Sequence, residues 1–273
     1  MLKSVKRFIA DHMPVWLRGR LLNSRKYGGQ VYIYPTLECT LHCPYCVNLH
    51  PDGGKHLKDF TLLSPEKWIE ILNRINRPVV ITGGEPFLYK GLEKIVNGLN
   101  PELPVSIYTN LTLDVSKFLA STKKENLSFY CSYHSGAGSP EKFLENLIML
   151  RDAGVNFYTH GIYASSQKEE VSEAKRFFRR HGFRFNLDVD QRKLYKCASK
   201  KFRKKVRCTK RMILIAPDGR RYQCVSKAVR MKDPLEDLTK EDLKDETVTS
   251  ICNDYGYCAP CDALGETKMV LLE

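Results

Sequence analysis

The stretch VYIYPTLECTLHCPYC, residues 31–46, begins with the pattern of a buried strand and ends in three cysteines, Cys39, Cys43 and Cys46. Thiolates are soft ligands that suit iron–sulfur clusters and zinc. A zinc ribbon needs two matched Cys-x-x-Cys pairs, and this segment offers one. The spacing therefore favours a 4Fe-4S cluster held by three thiolates, with one iron open to a further ligand. Zinc or structural thiols are the alternatives.

The bulk composition is that of a soluble globular protein. The chain has 273 residues, 42% of them hydrophobic and 27% charged, which is enough for one large domain or a domain with a small companion. There is no apolar run of 18 residues, and the first residues lack the pattern of a secretory signal. Ten cysteines without export predict a cytoplasmic protein whose clustered thiols bind metal or act in catalysis.

Segments of strand character alternate with segments of helical character through the first 190 residues. Ser64 and Ser139 occupy N-cap positions, and Gly154 and Gly182 close two helices. Such alternation predicts an α/β fold with a parallel sheet that binds ligands at the carboxyl ends of its strands. The predicted strands are 31–37, 78–83, 105–110, 127–134, 156–163 and 184–190, and the predicted helices are 64–75, 91–99, 115–120, 140–153 and 168–181.

The composition changes after Gln191. Residues 192–211 contain eleven Lys or Arg and no acid, within a chain of net charge +13. This run is either a solvated face or a surface that attracts an anion. Residues 212–224 then predict a hairpin around Pro-Asp-Gly. We divide the chain into an N-terminal basic extension (1–29), a central α/β domain (30–191) and a cysteine-rich C-terminal domain (192–273).

A second motif, Gly83-Gly84-Glu85-Pro86, ends the second predicted strand. Together with the Cys-x-x-x-Cys-x-x-Cys run and Tyr45 before its last cysteine, it resembles the radical S-adenosylmethionine (SAM) enzymes over roughly residues 30–190. The resemblance implies a partial (β/α)6 parallel barrel. In that family the open iron chelates SAM, while the Gly-Gly-Glu-Pro backbone and its Glu hold the methionine amino group. One electron then cleaves SAM to methionine and a 5′-deoxyadenosyl radical, which abstracts a hydrogen atom from the substrate.

Other strand ends carry further candidate residues. By the same resemblance, Thr109, Asn110 and Ser132 would contact SAM. Alternation along the fourth strand places His134 on the same inward face as Ser132. The sixth strand presents a polar face that could bind substrate. Structural roles for His134 and ordinary polar filling by the aspartates remain alternatives. The polar face consists of Asn186, Asp188 and Asp190.

The remaining cysteines form a second pattern. Cys208 and Cys224 flank Gly219 with spacings that resemble the opening of SPASM and twitch extensions, and Cys258-x-x-Cys261 follows. The short, twitch-like form implies one auxiliary 4Fe-4S cluster on these four cysteines. A fully ligated cluster suits electron transfer. Structural zinc, or Cys252 in place of one ligand, are the alternatives.

The resemblance implies a radical SAM oxidoreductase that removes two electrons from a small, anionic or sugar-like substrate and passes one of them to the auxiliary cluster. An external one-electron reductant of the flavodoxin or ferredoxin type is the expected partner. One alternative is a peptide-modifying enzyme: an epimerase, a crosslinking enzyme or a thioether former. Another is a non-catalytic protein that binds metal and nucleic acid. The N-terminal extension predicts an amphipathic helix, which either packs on the domain or contacts a membrane surface.

Overall fold

The structure is a computed structural model. It describes residues 29–48, 61–136, 138–163, 167–190, 203–244, 247–258, 261 and 267–272. The predicted N-terminal helix, the first half of the basic run and Cys197 lie outside the described residues. Among the described residues, no helix is long and apolar enough to cross a membrane.

Six parallel strands form the centre of the molecule, in the order of the chain. This arrangement confirms the predicted α/β fold with a parallel sheet, and each strand lies inside its predicted segment. The strands are β1 (Val31–Ile33), β2 (Val79–Ile81), β3 (Val105–Thr109), β4 (Leu127–Tyr133), β5 (Asn156–Tyr163) and β6 (Asn186–Val189).

Helices connect these strands, and their ends follow the predicted signals. The Ser64 side chain accepts a hydrogen bond from Lys67 N–H, and Ser139 caps its helix in the same way. Gly154 and Gly182 adopt φ values of +68° and +83° where two helices stop, a conformation that glycine adopts without strain. The helices are α1 (Pro65–Ile75), α2 (Leu92–Gly98), α3 (Ser116–Ser121), α4 (Pro140–Asp152) and α5 (Lys168–Arg180), with a 3-10 turn at Pro86–Leu88.

The main core lies between the sheet and these helices. Trp68 of α1 and Phe178 of α5 are fully buried there, together with Ile81 and Phe129 from the sheet. Cys131 of β4 is also fully buried in this layer. A second, smaller cluster of buried side chains lies on the opposite face of the sheet and includes Tyr32, Val80 and Leu214.

The sheet continues past the predicted boundary at residue 191. Strand β8 (Ile213–Ile215) pairs in parallel with β1, and it forms the predicted hairpin with β9 (Arg220–Tyr222). Strand β10 (Glu236–Asp237) completes a nine-stranded sheet. Part of the C-terminal domain is therefore built directly onto the edge of the parallel strands.

A second, antiparallel sheet has β7 (Lys204–Lys210) at its centre, between β11 (Val248–Tyr255) and β12 (Thr267–Leu271). Along β7, Cys208 and Lys210 are buried while Lys205 and Arg207 are exposed. The basic run therefore alternates between an exposed face and an interior face in its described part. A short helix, α6 (Val225–Arg230), follows the hairpin.

Candidate active site

A cavity of about 540 Å³ opens at the carboxyl ends of the parallel strands. Two groups of thiols contribute to its wall. One comes from the loop after β1, and the other comes from the C-terminal domain. The first group is Cys39, Cys43 and Cys46, and the second is Cys224, Cys258 and Cys261. The structure therefore places both predicted sets of ligands around one chamber, with Cys208 buried on β7 as the remaining predicted ligand.

The loop after β1 holds its three thiols close together. Cys46 N–H donates to the carbonyl of Cys43 at 3.1 Å. Burial raises the pKa of Cys43 to about 11, and the neighbouring charges of Cys46 and Cys39 add to the rise. Three adjacent thiolates are unfavourable without a bound cation, so this donor set fits an iron–sulfur cluster.

The Gly-Gly-Glu-Pro turn is hydrogen-bonded to the residues that come just before Cys39. Gly84 N–H donates to Thr36 O at 3.1 Å, and Glu85 N–H donates to Glu38 O at 2.7 Å. A Cβ atom on Gly84 would lie 1.8 Å from Glu38 O, so no other residue fits this approach. Gly83 has a φ of +123°. The two motifs therefore form one structural unit.

The Glu85 side chain is buried beneath that unit and is not part of the cavity wall. It accepts hydrogen bonds from Thr109 Oγ1 at 2.8 Å, Asn110 N–H at 2.8 Å and Phe87 N–H at 3.2 Å. Burial raises the pKa of Glu85 to about 7, although these donors lower it. The resemblance implied that Glu85 contacts SAM. In the structure its carboxylate lies behind the wall, where it joins the ends of β2 and β3, and Pro86 is buried beside it. The contact of Glu85 with SAM stays a prediction.

Asn110 connects the end of β3 to the cysteine loop. Its Nδ2 donates to Thr40 Oγ1 at 2.9 Å and lies 3.6 Å from Cys39 Sγ. Its Oδ1 accepts from Thr112 N–H at 3.0 Å. Thr109, Asn110 and the two glycines of the second motif all contribute to the cavity wall. These positions can present backbone and amide groups to a ligand bound beside Cys39.

Tyr45 and His134 form a pair on the same wall. Tyr45 Oη lies 3.1 Å from His134 Nδ1, and the two rings are stacked with centroids 5.7 Å apart. Burial lowers the pKa of His134 to about 4, and the neighbouring His160 adds to the effect. His134 is therefore neutral at ordinary pH and acts here as a hydrogen-bonding partner.

Strands β4, β5 and β6 bring a serine, a histidine and an aspartate into line. Ser132 Oγ lies 2.6 Å from His160 Nε2, and His160 Nδ1 lies 2.7 Å from Asp188 Oδ2. Tyr130 Oη donates to the same aspartate oxygen at 3.1 Å. Sequence reasoning missed His160. Alternation along β5 could have indicated it, because His160 and Ile162 lie on the strand face that lines the cavity.

The other two residues of the polar face on β6 differ in position. Asp190 contributes to the cavity wall. Asn186 lies outside it, and its Nδ2 donates to the carbonyl of Thr159 at 3.1 Å. The structure therefore assigns Asn186 a strand-pairing contact where the sequence indicated a substrate contact. It sits at the start of β6, away from the carboxyl ends.

The C-terminal thiols surround a buried lysine. Lys210 is 7% exposed. Burial lowers its pKa, but the charges of Cys224, Cys261, Cys208 and Cys258 raise it, and the net shift is upward. All four predicted auxiliary ligands thus act on one ammonium group, which places them around the same point.

Burial raises the pKa of Cys258 to about 11 and that of Cys261 to about 12, so these thiols also need a cation to ionise. Cys252 is half-buried beside Cys224, so it stays a candidate for one ligand position. In the described part of the chain, no three His, Cys, Asp or Glu side chains converge closely enough to hold a single ion. A four-iron cluster is larger than one ion, and its ligands are spread more widely.

Tyr34 lies near both groups of thiols. Burial raises its pKa strongly, and the charges of Cys46 and Cys224 both act on the same phenol. Tyr34 contributes to the cavity wall directly after β1. Tyr34 is therefore a wall residue that senses charge from both groups of thiols.

Comparisons with known proteins agree with this architecture. The profile described as Radical SAM superfamily matches residues 33–189, and no curated protein matches the chain. The solved structure "Native anSMEcpe with bound AdoMet" has a TM-score of 0.57 at 13% identity, covering 78% of this chain and 79% of that one. "Native anSMEcpe with bound AdoMet and Cp18Cys peptide" has a TM-score of 0.57 at 14% identity, covering 78% of each chain.

A further solved structure, "BtrN in complex with AdoMet and 2-DOIA", has a TM-score of 0.48 at 17% identity, covering 78% of each chain. At 13% and 14% identity, the two likenesses with a TM-score of 0.57 speak for the fold alone. The family profile spans more than half of the chain and includes both the cysteine loop and the glycine motif. The chain therefore belongs to the radical SAM superfamily.

Proposed function

We propose that this protein is a radical SAM oxidoreductase that removes two electrons from a small hydroxyl-bearing substrate, with an auxiliary 4Fe-4S cluster as the acceptor of one electron. One observation carries the proposal: both groups of thiols face a single cavity, whose wall also includes Tyr34. Electron transfer between substrate and an auxiliary cluster needs such proximity. A cluster with a purely structural role has no need to face the cavity.

The residues divide into three roles in this proposal. Cys39, Cys43 and Cys46 hold the cluster that binds SAM. The wall formed by Gly83, Gly84, Thr109 and Asn110 receives SAM next to it. The auxiliary cluster is held by Cys208, Cys224, Cys258 and Cys261. When bound, SAM and its cluster supply the hydrogen-atom acceptor that is common to the family.

The rest of the cavity favours a hydroxyl-bearing substrate. Ser132, His160, Asp188 and Asp190 offer hydrogen-bond donors and acceptors on one side of the chamber. The stacked rings of Tyr108 and Tyr130, with centroids 4.6 Å apart, add an aromatic surface to the same cavity wall. Polar groups over an aromatic surface suit a cyclic polyol or sugar. A phosphate or carboxylate on that substrate would be attracted by the basic C-terminal segment.

The first test is a count of iron and acid-labile sulfide after anaerobic reconstitution. We expect about eight of each per chain for two 4Fe-4S clusters. Replacing Cys39, Cys43 and Cys46 together by Ala should leave about four, and so should replacing Cys258 and Cys261. A wild-type chain with about four irons and one zinc would overturn the auxiliary cluster and the oxidation that depends on it.

The second test is turnover with SAM and a strong reductant. Cyclic polyols and sugar phosphates are compared with peptides that contain serine or cysteine, and carbonyl products are sought by mass spectrometry. Oxidised polyol or sugar, formed together with 5′-deoxyadenosine, supports the proposal. Turnover of the peptides alone would replace it with the peptide-modifying function. Absence of 5′-deoxyadenosine under all conditions would remove a radical SAM activity.

A further inference from the structure

A continuous polar chain crosses the last three parallel strands. Ser132 on β4 is hydrogen-bonded to His160 Nε2 at 2.6 Å, and His160 Nδ1 is 2.7 Å from Asp188 Oδ2 on β6. The register of the sheet creates this contact, because Ser132 lies directly opposite His160 in the β4–β5 pair. All three residues contribute to the cavity wall.

The burial and charge of these three side chains fit an acid–base relay. His160 is 4% exposed, while the side chain of Asp188 is 34% exposed. Burial raises the pKa of Asp188, but contacts from His160 and Tyr130 lower it, and the net shift is downward. Asp188 therefore remains a carboxylate, and its negative charge 2.7 Å from His160 Nδ1 favours a proton on that nitrogen, which leaves Nε2 to accept a proton from Ser132.

The groups that face His160 come from three strands. Asp188 approaches from β6, and Tyr130 and His134 approach from β4, with the Tyr130 ring 4.4 Å from that of His160. Tyr158 lies on β5 itself, with its ring 5.7 Å away. Among these described neighbours, Asp188 is the anion in contact with the imidazole, so it is the group placed to stabilise an imidazolium during the reaction.

Oxidation of an alcohol to a carbonyl has a fixed balance. One hydrogen atom leaves carbon, one proton leaves oxygen and one electron leaves the resulting substrate radical. In the proposed function the bound cofactors accept the hydrogen atom and the electron. Side chains of the protein must therefore accept the proton, and this step rests on the proposed function.

We propose that Ser132 and His160 are catalytic residues that remove the hydroxyl proton of the substrate, and that Asp188 is their positioning residue. The substrate O–H bond breaks as its proton moves to Ser132 Oγ. At the same time the original Ser132 proton moves to His160 Nε2. The imidazolium that forms is stabilised by the carboxylate of Asp188.

The alternative is that this chain of residues holds SAM, as the sequence resemblance implied for Ser132. The two roles predict different defects. A proton acceptor is needed only when substrate is oxidised, whereas a SAM contact is needed for SAM binding and for its cleavage without substrate. Measurements of both quantities therefore separate the roles.

The test uses the reconstituted protein and the variants His160→Gln and Asp188→Asn, with the exposed His181→Gln as a matched control. The proposal expects product formation from the polyol and sugar-phosphate panel to fall roughly 10² to 10⁴-fold in His160→Gln. SAM affinity and substrate-free formation of 5′-deoxyadenosine stay close to wild type. Loss of SAM binding in this variant would overturn the proposal in favour of the SAM contact.

A second readout uses Asp188→Asn. This variant should lower kcat for the oxidised panel member, because the imidazolium loses the carboxylate that stabilises it, and should leave SAM affinity close to wild type. An unchanged kcat in Asp188→Asn would overturn the relay, whereas a wild-type protein that oxidises no panel member would overturn the proposed function itself.

Discussion

The backbone N–H of Asn110 donates a 2.8 Å hydrogen bond to Oε2 of Glu85, so the second motif and the end of β3 are joined by a buried carboxylate. The other oxygen, Oε1, accepts from Thr109 Oγ1 and Phe87 N–H. A buried side chain with this set of partners positions its neighbours. The wall beside the cysteine loop therefore depends on Glu85 even though Glu85 does not face the cavity.

This placement predicts a pH-dependent stability difference between the wild type and Glu85→Gln. The pKa of Glu85 is raised to about 7 in the folded protein. The contribution of protonated Glu85 to the stability of the fold is therefore fully present below the pKa that Glu85 has in the unfolded chain. This contribution is lost as the pH rises through about 7. The loss in the wild type is on the order of 3 kcal/mol between the two ionisation states.

Glutamine does not titrate, but its amide can accept only one of the two backbone donors. We therefore expect Glu85→Gln to unfold at a lower temperature than wild type at about pH 5, and the gap to narrow towards about pH 8. Thermal unfolding of the reconstituted proteins under anaerobic conditions measures the gap. A gap that is constant across this range would show that Glu85 does not titrate in the folded protein.

Gly84 provides a steric test of the link between the two motifs. In Gly84→Ala the added methyl group would lie 1.8 Å from Glu38 O, so the chain before Cys39 must move. We expect iron content to fall by about half, because only the first cluster is affected. The control is Gly138→Ala, whose nearest neighbour would be Thr112 Cγ2 at 3.6 Å. Full iron content in Gly84→Ala would contradict the tight approach.

Asn146 holds the loop that follows Asn110. Its Nδ2 donates to the carbonyls of Leu111 and Leu113, each at 2.9 Å, and the side chain is buried. Asn146→Ala leaves both carbonyls without this donor and should lower the free energy of unfolding by about 2 to 4 kcal/mol.

The matched control is Asn97, an exposed asparagine that also makes two side-chain hydrogen bonds, to Ser121 and Lys123. Asn97→Ala should lower the free energy of unfolding by less than about 1 kcal/mol, because water can take the place of the lost side chain in these hydrogen bonds. Urea unfolding under anaerobic conditions compares the two. Equal losses of unfolding free energy in the two variants would mean that the burial of Asn146 does not strengthen its contribution to stability.

Lys210 should set the potential of the auxiliary cluster. A buried ammonium group among four thiolates stabilises the more negative, reduced state of a cluster bound there. Lys210→Met is therefore expected to lower the reduction potential of that cluster, measured by potentiometric titration with EPR detection. Lys204→Met, on an exposed position of the same strand, is the control. A potential that moves equally in both variants would assign the effect to general surface charge.

The order of the parallel strands could be predicted from the sequence for identifiable reasons. Local signals define each element: alternating apolar residues along β4, Ser64 before α1 and glycines after the later helices. These signals depend on a few neighbouring residues. The two motifs follow predicted strands, so their arrival at one edge of the sheet also follows from local patterns.

The contacts that complete the site depend on register and on distant pairing, which local patterns do not contain. His160 becomes a partner of Ser132 and Asp188 only through the alignment of β4, β5 and β6. The burial of Glu85 depends on three donors that lie after β2 and β3. Likewise, nothing near residues 213–215 indicates that they pair in parallel with β1.

The pairing of β8 with β1 bears on how the protein can be divided. A chain cut at the end of the family match, near residue 189, would expose one side of β1 as a free hydrogen-bonding edge. Free, apolar edges are templates for intermolecular pairing. By pairing with β1, the C-terminal domain therefore also covers this edge and keeps it from pairing with another molecule. The backbone hydrogen bonds between β8 and β1 also fix how far apart the two groups of cysteines lie, which a flexible linker would not do.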